Sequence, residues 1–146
     1  MELSNEVRIF AQRDKVYAAL NDTDILKACI PGCEELTRTS ENVLEAKVVL
    51  KIGPVKAKFG GVVTLDPSQA PARFSLSGEG NGGIAGFAKG SADVELIEDG
   101  DETVLRYNAK ADVGGKMAQL GSRLIVGTSQ KLAAMFFTSF AEKVSK

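Results

Sequence analysis

The stretch GKMAQLGSRLIVGTSQKLAAMFFTSFAEKVSK, residues 115–146, decides the architecture. Met117, Leu120, Leu124, Ile125, Leu132, Met135 and Phe136 recur at spacings of three and four, so they form one apolar stripe of an amphipathic helix. A second seam, Val126, Ala133, Phe137, Phe140 and Val144, lies roughly half a turn away. The spacing predicts a single helix from Gly115 or Lys116 to beyond Phe140, with Met117, Leu124 and Met135 buried. A helix apolar on two sides needs cover on both. Gly121 and Gly127 each cost about 1 kcal/mol against alanine in a helix interior, which suggests either close backbone approach or room for a guest.

The preceding chain has the period of strands. Leu3, Asn5, Val7 and Ile9 alternate with polar neighbours, giving a first strand over about residues 2 to 10. Asp14 suits the N-cap of a short helix carrying Val16, Ala19 and Leu20, and a second short helix holds Ile25, Leu26 and Cys29 before Pro31-Gly32. From Glu34 the period is two. Turns at Ser40–Asn42, Gly53-Pro54, Asp66–Pro71, the glycine-rich 78–86 and Glu98–Glu102 separate six further strands. Sequential strands with short connections make an antiparallel sheet, and the helix must cover its inner face. The fold class is α+β: a curved seven-stranded sheet wrapped on a long C-terminal helix, with two short helices after strand 1, in one domain over 1–146.

Composition excludes several functions. The chain of 146 residues is 44% apolar and 25% charged, with a net charge of -1 and no Lys/Arg cluster, so nucleic acid is not an expected partner. Met1 leads directly into the strand alternation, so no leader is expected, and no apolar run reaches the length of a membrane span. The expected compartment is the cytoplasm. Zero histidines removes Ser-His and Cys-His catalysis, and with only Cys29 and Cys33 no metal site is expected; the two are read as buried or half-buried free thiols.

The inner faces are unusually small. Ala46, Ala57, Gly61, Gly78, Gly90, Ala92, Ala109 and Ala111 all face the helix on this register. Small residues there permit either close helix packing or an apolar pocket. The glycine-rich stretch lacks a Gly-Lys-Ser/Thr ending and precedes a strand, so it is read as a mobile hairpin at a cavity mouth presenting Ile84 and Phe87. Among 19 acidic residues, Glu79 and Asp112 are the nearest candidates for a buried acid, yet a solvated face suits both better.

Three motifs carry a resemblance: Ile30-Pro-Gly-Cys-Glu-Glu-Leu36, Gly86-Phe-Ala-Lys-Gly-Ser-Ala-Asp93 and Gly114-Gly-Lys-Met-Ala-Gln-Leu-Gly-Ser-Arg-Leu-Ile125. With the element order, they make the chain similar to the carbon monoxide dehydrogenase CoxG family, within the START/Bet v 1-like helix-grip proteins. The resemblance implies a non-catalytic accessory protein of a molybdenum hydroxylase of the carbon monoxide dehydrogenase type. It would carry a quinone- or lipid-like ligand or recruit the enzyme to the inner membrane surface, with no covalent cofactor. The expected ligand-binding residues are Phe59, Ile84, Phe87, Ala92, Tyr107, Met117, Leu120, Gly121, Leu124 and Met135. A protein-interaction subunit with a self-filled cavity is the alternative, the second helix seam then serving a dimer or partner contact. A cyclase or dehydratase using a pocket carboxylate ranks third.

Overall fold

The computed structural model describes residues 1–145. Seven strands form one antiparallel sheet in the order β1-β7-β6-β5-β4-β3-β2, with β1 Glu2–Ile9, β2 Cys33–Ser40, β3 Val43–Ile52, β4 Val55–Asp66, β5 Arg73–Asn81, β6 Phe87–Asp99 and β7 Glu102–Gly114. Two short helices, α1 (Arg13–Leu20) and α2 (Thr23–Cys29), follow β1, and the long helix α3 spans Ser122–Val144. Alternation along each strand sets the two faces: odd positions of β4 and β7 and even positions of β5 and β6 point inward. The inner register matches the one the sequence predicts.

Two local expectations change. Asp14 is not the cap of α1: the N-cap is Gln12, without a side-chain hydrogen bond, and Asp14 sits in the first turn. The cap that does form is Asp22, whose carboxylate accepts the N–H groups of Asp24 at 2.9 Å and Ile25 at 3.2 Å at the start of α2.

The terminal helix also departs from the single rod that the spacing predicts. Gly115–Leu120 wind as a 3-10 turn, and Gly121, at φ +93°, breaks the path before α3 begins. That dihedral lies outside helical space, so Met117 and Leu124 belong to different axes and cannot share a stripe. α3 then runs unbroken through Gly127; Lys146 lies outside the described residues. Its buried arc straddles the two seams. Phe140 and Val144 are fully buried, Ile125, Leu132, Phe136, Val126, Ala133 and Phe137 are half-buried, and Leu124 and Met135 remain 37% and 47% exposed.

The core has two parts. The larger joins Ile9, Val16, Ala19, Cys29, Val94, Leu96, Leu105, Phe140 and Val144 where α1, α2 and the C-terminal half of α3 meet the sheet. Thr103, fully buried there, donates its hydroxyl to the Ala11 carbonyl at 2.8 Å, tying β7 to the β1–α1 connection. The smaller, Phe59, Ala85 and Met117 with Leu50, Ile52, Val55, Ala57 and Val113 against them, closes the opposite end of the sheet.

A candidate ligand site between sheet and helix

Strand pairing converts the small inner residues into a continuous floor. One row across the sheet reads Ala46, Gly61, Gly80, Ala88, Val113; the next Leu44, Val63, Gly78, Gly90, Ala111; the third Leu65, Leu76, Ala92, Ala109, Leu3. Eight Ala and Gly positions on β4 to β7 therefore touch one another at the centre of the concave face.

α3 does not press onto this floor. Its backbone approaches α2, β1 at one edge of the sheet and β3 near the other more closely than the central strands. A Cβ built on Gly78 would meet only Val62 O and Val63 Cγ2, both at 3.5 Å, and one on Gly80 only Gly60 O at 3.8 Å. Those are atoms of the sheet itself, so the space above these glycines belongs to no helix side chain. The helix glycines agree: no atom lies within 4 Å of a Cβ on Gly121 or Gly127, which removes close backbone approach as their reason.

Aromatic side chains fill the large-core end. Phe136 stacks on Phe140 with centroids 5.8 Å apart and meets Phe137 edge-on at 5.0 Å, and Phe137 stacks on Tyr107 at 5.1 Å. Burial pushes the Tyr107 phenol above its usual range, so it keeps its proton at neutral pH. At the other end the 3-10 turns Gly83–Ala85 and Gly115–Leu120 fold down, burying Ala85 and Met117 beside Phe59.

The expected ligand residues divide on this geometry. Phe59 and Met117 sit together at the closed end, Ala92 is in the floor, Tyr107 is on its rim, and Leu120 is half-buried on the 3-10 turn. The other five point elsewhere. Ile84 is 92% exposed at the hairpin tip, because the turn that buries Ala85 swings its neighbour outward. Phe87 lies on the convex face, where its ring covers Gly114, since strand parity puts odd positions of β6 outside. Gly121 is the exposed joint before α3. Leu124 leans over the Gly53 turn, and Met135 is on the outward flank of α3. The glycine-rich segment is thus no open flap: β5 runs on to Asn81, and the turn is pinned against the 3-10 segment after β7.

Gly80 and Ala88 are floor residues that the sequence reading missed. Extending the period-two pattern through the glycines would have found them. Glu79 and Asp112 both face outward, Glu79 reaching Lys89 at 3.6 Å. Cys29 is buried and Cys33 half-buried, both thiols free and both raised in pKa by burial.

Comparison with known proteins gives this arrangement its relatives. A conserved protein from Geobacillus kaustophilus superimposes with a TM-score of 0.91 at 27% identity, over 99% of this chain and 95% of that one. A START superfamily protein from Mycobacterium smegmatis aligns with a TM-score of 0.71 at 14% identity, over 98% and 96% of the two chains. The Zhui aromatase/cyclase from Streptomyces sp. R1128 aligns with a TM-score of 0.70 at 11% identity, over 99% and 93%. These last two likenesses show the helix-grip fold alone. No curated protein matches the sequence. The family model of CoxG, a carbon monoxide dehydrogenase subunit, matches residues 6–145, and the chain belongs to that family.

Proposed function

We propose that this protein binds an apolar, quinone- or lipid-like molecule between the concave face of the sheet and α3, as a non-catalytic accessory to a molybdenum-containing dehydrogenase of the carbon monoxide dehydrogenase type. The observation that carries the reading is the Ala/Gly floor under a helix that stands away from it. Large side chains would fill such a gap at native packing density; small ones leave it for a guest. Burial of the guest supplies the affinity, at roughly 25 cal/mol per Å² before ordering costs are subtracted. The name of the family supports a dehydrogenase partner.

Charge distribution supports exchange of the guest at an anionic membrane surface. Lys51, Lys56, Lys116 and Arg123 gather with the exposed Ile84 at the end where β3, β5 and β7 finish, and no carboxylate reaches these four cations among the described residues. The opposite end carries Glu98, Asp99, Asp101 and Glu102. No helix among the described residues is long and apolar enough to cross a membrane.

A second reading, an interaction subunit without a guest, draws on Leu124 and Met135, which expose apolar surface on the outward flank of α3. Native mass spectrometry with solvent extraction of protein purified from its own host separates the two. The ligand reading expects a non-covalent adduct that organic solvent releases as a lipophilic molecule. A ligand-free chain that also binds no added quinone or lipid analogue, yet co-purifies with the dehydrogenase, would leave the interaction reading in its place.

A further inference from the structure

Beside the floor, a groove of about 730 Å³ runs between β1 and α3. Leu3, Val7 and Phe137 supply apolar wall, and Asn5, Tyr107 and Gln130 supply polar groups. Pairing ties the groove to the floor: Leu3 lies opposite Ala109, itself opposite Ala92, and Asn5 lies opposite Tyr107. A molecule on the Ala/Gly floor can therefore reach the groove without leaving the concave face.

The polar groups here are neutral and have capacity to spare. Among the described residues, neither the Tyr107 hydroxyl nor the Gln130 amide has a hydrogen-bond partner within the protein. Asn5 Oδ1 accepts the Glu6 N–H at 2.8 Å, which leaves both hydrogens on Nδ2 to donate. No lysine or arginine lines the groove, and its single charged residue is Glu2. Lys110 comes within 4.0 Å of Glu2 but stands on the outward row of β7. A carboxylate or phosphate entering this groove would lose water, meet no cation and sit beside an acid, which is unfavourable. A hydroxyl or carbonyl oxygen loses less hydration and finds two amides and a phenol.

We propose that the β1–α3 groove is the head-group end of the ligand site, selecting an apolar molecule with an uncharged oxygen head, hydroxyl or carbonyl, over a fatty-acid or phospholipid anion. This rests on the apolar-ligand reading given above and adds the polarity of the guest and the residues that read it. The guest lies with its chain over Gly78, Gly90 and Ala92 and its head between Tyr107 and Gln130.

The test uses two matched probes, retinol and retinoic acid, titrated against the full chain at pH 8, where the acid is ionised. Retinol should bind at least about fivefold more tightly than retinoate, the scale of one neutral hydrogen bond. Tyr107→Phe, which keeps the stack on Phe137, and Gln130→Leu should each weaken retinol by about threefold to tenfold, with circular dichroism and melting unchanged. Both variants should leave retinoate nearly unaffected, and Glu2→Gln should narrow the preference for the alcohol. Equal or tighter binding of retinoate, or retinol binding that ignores both groove variants, would overturn the head-group assignment while the ligand reading stands. If the parent binds neither probe, the ligand reading fails and this assignment with it.

Discussion

Gly86 and Gly115 meet backbone to backbone at the foot of the terminal helix. A Cβ on Gly115, at φ +75°, would lie 2.7 Å from the Gly86 Cα, and one on Gly86, at φ +125°, would lie 2.3 Å from the Gly114 carbonyl oxygen. Gly115→Ala should therefore lose about 1–3 kcal/mol through dihedral strain and displacement together. Gly127 is the contrast, with helical backbone and open space where a Cβ would go. Gly127→Ala should gain about 1 kcal/mol, and urea unfolding of the pair reads both signs at once; equal effects would deny that the two glycines do different things. The sequence shows fifteen glycines without their dihedrals, which is why Gly121 passes for a helix residue until its φ of +93° is seen. The thiols are a second residue-scale case. Burial raises both Cys29 and Cys33 above the ordinary value of 9.0, so folding favours the protonated thiol. The resulting stability is complete below the unfolded thiol's pKa and falls as pH rises through the folded one. Melting temperature should drop above about pH 9, less steeply in Cys29→Ala, and the parent's Cys33 should react with iodoacetamide before Cys29. A pH profile unchanged by Cys29→Ala would remove Cys29 from this account.

Elements were legible to the degree that their period is regular. All seven strands, their antiparallel order and the inward rows follow from period two alone, because one buried face makes a register slip costly. The terminal helix was harder, since apolar residues on two seams satisfy several choices of buried arc. Tertiary packing settles it by setting Phe140 and Val144 against α1, α2 and β7, which leaves Leu124 to cover only the Gly53 turn. Phe140→Ala should cost about 3–5 kcal/mol, and Leu124→Ala well under the 2–5 kcal/mol of a close-packed leucine. Chemical denaturation measures both, and a larger loss at Leu124 would return the buried arc to the first stripe. The hairpin between β5 and β6 was hardest to read. Its glycines look like loop, whereas Gly78 and Gly80 are strand residues whose missing side chains form the floor.

At the scale of the molecule, the sheet and α3 leave a space that neither core cluster fills. The Phe59–Met117 plug closes one end, the aromatic stack from Tyr107 to Phe140 closes the other, and the β1–α3 groove opens at the side. Half of the candidate site could be read from the sequence, because Phe59, Ala92 and Tyr107 obey strand parity and Met117 is apolar at a strand-to-helix joint. The misplaced half, Ile84, Phe87, Gly121, Leu124 and Met135, depends on where turns aim a side chain, which no periodicity encodes. The most direct test fills the floor. Gly78 has ordinary extended backbone, and a Cβ there makes only contacts of 3.5 Å within the sheet, so Gly78→Leu projects into the ligand space with no strain at its own backbone. Retinol binding is measured for Gly78→Leu beside the parent, with Gly127→Ala as the control. The account predicts a cooperative melt in all three and a loss of about tenfold or more in Gly78→Leu alone; undiminished binding in a folded Gly78→Leu would contradict it.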